Sequence, residues 1–280
     1  LGTEFAKRLA FFSVCVCLVG AVHAESDEAT KLAVLPSEVT LHGPQAQHQL
    51  LVLHELDGQL GKPSEDPELR SSNPQVVRID GRTLIPVGDG EAVVTATEGD
   101  LQATAKVTVT AMSETHRWSF RNHVQPVLAK MGCNSGACHG ALAGKGGFRL
   151  SLRGYDPETD HFNITRQARG RRVELSDPGR SLILAKPTGA IPHKGGVRFD
   201  TDSLEYRVIS QWLSDAAPAP NDSDPRLDRL EILPPNSLLG VGDSQQLLVR
   251  AHYTDGRVED VTRWAKFTSA DETVATVEQS

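Results

Sequence analysis

The sequence predicts a multidomain chain: an all-β sandwich, then a mainly α domain, then a partial second sandwich of the first kind. An internal repeat and runs of alternating β-branched residues carry the β assignment. A glycine-rich insert between two amphipathic stretches sets the middle apart. The 280 residues suffice for two or three domains, and at 23% charged and 39% hydrophobic they have the balance of a globular protein. A formal net charge of −7 argues against a general phosphate-binding surface, and so against nucleic acid as a partner.

Lys7 and Arg8 precede an apolar stretch running from Leu9 to Gly20, and Val22-His23-Ala24 offers a cleavage point before Glu25. That is the layout of a secretory signal peptide over residues 1–24, and the run is too short to favour a spanning helix. The expectation is an exported protein of the periplasm or cell surface, with no transmembrane segment beyond the leader. The leader accounts for Cys15 and Cys17, which leaves Cys133 and Cys138.

The repeat pairs Leu32-Ala33-Val34-Leu35-Pro36 with Leu230-Glu231-Ile232-Leu233-Pro234, and Gln49-Leu50-Leu51-Val52 with Gln246-Leu247-Leu248-Val249. In the first copy, Gly90–Thr97 and Ala103–Thr110 alternate as half-buried strands do, with Glu98-Gly99-Asp100 supplying the turn. Short strands at this spacing predict a sandwich. The Leu-Pro opening, Ser72-Asn73-Pro74-Gln75-Val76-Val77 and Gly90-Glu91-Ala92-Val93-Val94-Thr95-Ala96 resemble the bacterial immunoglobulin-like domains of group 2. The resemblance implies one such domain over residues 31–111 and, after a linker at 219–228, a second over 229–280 that lacks its last strands. The expectation is therefore a piece of a longer protein, because a sandwich without those strands leaves an open edge. Domains of this kind act as spacers or adhesion modules.

Residues 114–218 differ in character. Phe120, Val124, Val127 and Leu128 fall on one helical face, and so do Leu204, Val208, Ile209, Trp212 and Leu213, with Asp202 and Glu205 as the expected capping pair. Between these helices lie Cys133, Cys138 and His139, in a segment rich in glycine. Three chemistries fit. A disulfide suits an oxidising compartment, and two cysteines with two histidines suit zinc. Histidine directly after the second cysteine is the arrangement of c-type haem attachment, in which both sulfurs bond the macrocycle and the histidine is the proximal iron ligand. The usual spacing has two intervening residues; here there are four, Asn134 to Ala137, and Gly136 and Ala137 are expected to accommodate the longer loop.

The stretch from Phe120 to Trp212 resembles the planctomycete-type cytochrome c domain. The matching blocks are Cys133-Asn134-Ser135-Gly136-Ala137-Cys138-His139-Gly140, Gly146 through Pro157, Asp177-Pro178-Gly179-Arg180-Ser181-Leu182 and Lys186-Pro187-Thr188-Gly189. Lys194 departs from it, standing where the family pattern has glycine. The resemblance implies a cytochrome c-like domain over 114–218 carrying one covalent haem c, with Cys133 and Cys138 as attachment points and His139 as proximal axial ligand.

For the distal position, Met112 and Met131 are badly placed in the chain, and His123 and His161 are expected to be a solvated or capping residue and a turn residue. His193 sits between Pro192 and the Gly195-Gly196 pair, just before the last helix, and is the expected second metal ligand. Arg166, Arg169, Arg171, Arg172 and Arg180 form a basic run suited to haem propionates, to an acidic redox partner, or simply to solvent. The functional expectation is an exported electron-transfer protein, a carrier rather than an enzyme, with an unidentified redox partner. The competing readings are a cell-surface adhesion or scaffold protein with a structural cysteine pair, and a haem sensor or enzyme with an open distal site.

Overall fold

A computed structural model describes residues 31–278. The expected leader, with Cys15 and Cys17, lies outside the described residues. The N-terminal unit is all β: β1 Lys31–Leu35, β2 Glu38–His42, β3 His48–Gln49, β4 Leu51–Leu56, β5 Gln59–Pro63, β6 Glu68–Ser71, β7 Val77–Asp80, β8 Thr83–Pro86, β9 Gly90–Glu98 and β10 Leu101–Thr110. Its sheets have the orders β2-β10-β9-β6, β1-β4-β5 and β3-β8-β7. Ala92, Val94 and Ala96 of β9 and Ala105, Val107 and Val109 of β10 alternate inward, and they meet Leu32, Val34, Leu50 and Val52 from the facing strands in one core. The expected hairpin forms with Glu98 opposite Leu101, so the turn narrows to Gly99-Asp100.

The repeat is visible as backbone pairing. Leu35 pairs with Leu51 in the first copy, and Leu233 pairs with Leu248 in the second, where β11 Leu227–Leu233, β12 Leu248–Tyr253 and β13 Val258–Asp260 make a three-stranded sheet. The linker is shorter than expected, because β11 begins at Leu227. Leu32 and Val34 are 4% and 5% exposed, whereas their counterparts Leu230 and Ile232 are 57% and 50% exposed. The inward face of the second copy is thus open along β11.

The central unit holds short helices joined by long loops. A π-helical turn, Phe120–Val124, leads into α1 Gln125–Lys130; α2 Pro157–Thr165, α3 Leu182–Ala185 and α4 Leu204–Ser214 follow. Both predicted apolar faces are buried together in one core that includes Phe120, Val124, Ile164, Leu184 and Trp212. Two sequence expectations are corrected. Ser203, not Asp202, caps α4: it is the last extended residue, at φ −71° and ψ 158°, and its Oγ accepts from the Tyr206 N–H at 3.2 Å, while Glu205 takes the fork of Arg263 at 2.6 and 2.8 Å. His161 lies within α2 rather than in a turn, since Asp156 accepts from the Thr159 N–H at 3.0 Å and starts a helix with Pro157 in its first turn. No helix among the described residues is long and apolar enough to cross a membrane.

The three units are packed together rather than strung out. Neighbouring strand residues point to opposite sides, and Glu259 and Asp260 use this to hold two units at once. Glu259 takes the Nε2–H of His123 at 3.2 Å, while Asp260 accepts from the Gln49 N–H at 2.8 Å. Leu51 and Leu53 share a small core with Leu233 and Leu248. Of the two roles expected for His123 the capping one is found: the ring is buried rather than solvated, and its Nδ1 accepts from the N–H of the N-cap residue Ser119 at 3.0 Å, which places the ring proton on Nε2, toward Glu259.

This junction makes stability depend on pH. Burial lowers His116 to about 4, with help from neighbouring His123, and burial likewise lowers His48. A histidine held neutral by the fold binds protons more readily when unfolded. Its contribution is complete above the unfolded value near 6.5 and is lost as pH falls from there toward 4. Acidification from pH 7 to 4.5 should cost about 1–2 kcal/mol, discounted because His116 is only partly buried. Urea unfolding at the two pH values checks this, and His116→Phe should reduce the loss; equal or greater stability at pH 4.5 refutes it.

Candidate functional site

Helix α1 ends so as to deliver Cys133. Gly132, at φ +73°, lets its own N–H reach the Ala129 carbonyl at 3.1 Å, and the Cys133 N–H reaches that of Leu128 at 2.9 Å. These two bonds form a Schellman ending, a recurrent way for a helix to stop at a left-handed residue. The chain then folds back on itself. The Cys138 N–H bonds to the Ser135 carbonyl at 3.0 Å, and the His139 N–H bonds to the Cys133 carbonyl at 2.9 Å. The four intervening residues thus form a compact bulge that returns His139 to the first cysteine.

The bulge places its demand on a different glycine from the one expected. A side chain at Gly136 would meet nothing within 4 Å, whereas one at Gly140 would run into the Asn134 carbonyl. The Asn134 carbonyl is held in place by the Arg153 N–H at 3.2 Å. Gly140→Ala should destabilise the central unit by about 1–3 kcal/mol, the usual range for overpacking, and Gly136→Ala by much less. A thermal melt of the two variants checks this, and equal melting temperatures contradict it.

Both cysteines are free thiols. Burial pushes the Cys133 thiol up to about 11, with Arg198 acting in the opposite direction. In the free chain Cys133 is therefore a thiol at neutral pH, not the thiolate that attachment chemistry uses. Arg198 is a residue that the sequence did not single out. Its backbone N–H bonds the Pro187 carbonyl at 2.7 Å, and its Nη2 lies 3.9 Å from Cys138 Sγ.

The two histidines are positioned alike. His139 Nδ1 lies 3.1 Å from the Phe148 carbonyl, and His193 Nδ1 lies 2.9 Å from the Gly196 carbonyl. A carbonyl only accepts, so each Nδ1 carries the proton and each neutral ring presents Nε2 as a lone pair. Burial lowers His139 and favours that neutral form, the Phe148 bond opposes it, and His193 adds to the lowering. The ring centres are 6.4 Å apart with planes within 10° of parallel. The two imidazoles therefore lie side by side as a stacked pair brought together from separate loops.

The remaining candidates are elsewhere. Met112 packs on the N-terminal β core, and Met131 is half-buried against the helical core. His161 donates from Nε2 to the Ala217 carbonyl at 2.9 Å, against Phe120 and Trp212. In the basic run, Arg172 is buried and serves the fold. It donates to the carbonyls of Asn163, Gln167 and Gly147, with its guanidinium 4.4 Å over the Phe148 ring. Structural zinc needs four converging ligands, and no group of three or more His, Cys, Asp or Glu side chains is placed to hold an ion among the described residues. An axially ligated haem iron takes two ligands from the protein.

No protein-family model and no curated protein matches the chain. Among solved structures it is similar to domains 4 and 5 of the S-layer protein SbsC, at 17% identity and a TM-score of 0.25 over 29% of this chain. The chain spans about half the length of that structure, 51%. It is also similar to the titin M10–obscurin-like 1 Ig complex, at 18% identity and a TM-score of 0.16, over 29% of this chain and 93% of that one.

Proposed function

We propose that the chain is an exported electron-transfer protein whose central unit is a cytochrome c-like domain, held between immunoglobulin-like β units at the cell surface or in the periplasm. The observation that supports this reading is the matched pair of histidines beside the cysteine loop: each Nδ1 is tied to a backbone carbonyl, and the ring centres are 6.4 Å apart. In the proposed site Cys133 and Cys138 would hold one haem c through thioether bonds, and His139 and His193 would be the iron's protein ligands. When bound, that group supplies a one-electron couple with little structural rearrangement.

The chain's own residues have defined tasks in this reading. The bulge at Asn134–Ala137 holds both sulfurs and His139 on one short loop. The Phe148 and Gly196 carbonyls fix both imidazole tautomers and ring orientations, as outer-shell partners do at metal sites. Two histidines, rather than histidine with methionine, imply a lower reduction potential. Carbon monoxide added to the reduced protein tests the carrier reading against a sensor or enzyme. A six-coordinate carrier leaves the spectrum unchanged; rapid stoichiometric binding contradicts it.

A further inference from the structure

The central unit is basic inside an acidic chain. Residues 114–218 hold fifteen Lys and Arg against ten Asp and Glu, a net of +5, in a protein whose total is −7. Four of these cations stand at the histidine and cysteine loops. Lys145 Nζ donates to the Ala137 carbonyl at 3.0 Å, next to Cys138, and Lys186 Nζ donates to the Pro192 carbonyl at 3.0 Å, next to His193. Lys194 follows His193 directly and is exposed, and Arg198 Nη2 reaches Cys138 Sγ. None of the four is in an ion pair among the described residues.

We propose that this face, formed by Lys145, Lys186, Lys194 and Arg198 around Cys138, His139 and His193, is the docking surface for an acidic protein partner. The inference rests on the electron-transfer reading for what the partner does, but its charge argument does not need the haem. Complementary potentials steer encounter and fix orientation, and here the cations surround the one place where an electron would enter or leave. Extended polyanions fit less well. Duplex DNA or an anionic membrane would also meet the acidic remainder of the chain, while a small protein covers only a patch within about a Debye length, roughly 10 Å at 0.1 M salt.

The test is calorimetric titration of the full chain with a poly-L-glutamate peptide at low salt. Binding is expected, weakened roughly tenfold or more by Lys186→Glu with Lys194→Glu, since the interaction is chiefly electrostatic. Lys62→Glu with Arg78→Glu makes the same change in net charge on the β unit and should leave binding intact. Absence of binding, equal weakening by both pairs, or tighter binding to duplex DNA or phosphatidylglycerol vesicles overturns the proposal. Repeating the titration with Cys133→Ala/Cys138→Ala separates the two readings. Binding retained in that variant shows that the surface acts without haem, and a haemochrome spectrum of the native chain tests the haem reading separately, so either can fail alone.

Discussion

If the proposed haem is present, replacing His193 with alanine should leave it attached through Cys133 and Cys138 but turn a low-spin spectrum into a high-spin one that responds to carbon monoxide. The effect is all-or-none because His193 is the one histidine paired with His139 at a separation of 6.4 Å and near-parallel orientation. Of the other histidines of the central unit, His116 packs against Trp118 and His123, His123 is held by Ser119 and Glu259, and His161 by Ala217. His123 and His161 cannot replace it without breaking a part-buried hydrogen bond, which costs about 1–3 kcal/mol. His193→Met gives a second readout, since a histidine–methionine pair raises the reduction potential. An unchanged low-spin spectrum in the alanine variant, with no binding of carbon monoxide, removes His193 from the site.

The second large effect is on stability. Trp212 is fully buried, its Nε1 donates to the Pro218 carbonyl at 3.0 Å, and its ring lies 5.3 Å from that of Phe120. Trp212→Ala should cost about 3–5 kcal/mol through lost burial and the cavity left behind. In a domain-sized unit that corresponds to a fall of roughly 10 °C or more in melting temperature. Because α1 and α4 share this core, the loss should also loosen the loop that begins at Cys133. Thermal unfolding followed by tryptophan fluorescence checks the prediction, and a shift of less than about 2 °C contradicts it.

What the sequence made legible is what local pattern encodes. Alternation placed the β9–β10 hairpin, and period-3.6 apolar spacing placed α1 and α4. The repeated Leu-Pro and Gln-Leu-Leu-Val blocks emerged as the equivalent pairings of Leu35 with Leu51 and Leu233 with Leu248. Cys133, Cys138 and His139 stand out in the sequence by adjacency and His193 by its place before the last helix, and the fold brings the two histidine rings within 6.4 Å.

The misses have long-range or backbone causes. The capping role of His123 was legible, but its burial was not, because its partner Glu259 lies 136 positions away. Asp202 lost the cap to its neighbour Ser203, an equally good capping residue one position on, and Glu205 pairs with Arg263, 58 positions away. Pro157-Glu158-Thr159-Asp160 carries the composition of a turn, yet Asp156 caps it into a helix. The carbonyls of Phe148 and Gly196, which set both imidazole tautomers, belong to residues whose side chains give no hint of the role. Arg198 became visible only when the fold brought it to Cys138.

The most direct test of the account is the intact mass of the full chain, co-expressed with a cytochrome c maturation system, together with a pyridine haemochrome spectrum. The account predicts a mass increase of one haem per chain, a spectrum of the two-thioether type, and both Cys133 and Cys138 inert to alkylation. A chain without added mass, whose two cysteines are alkylated freely or are joined to each other in a disulfide, would contradict it.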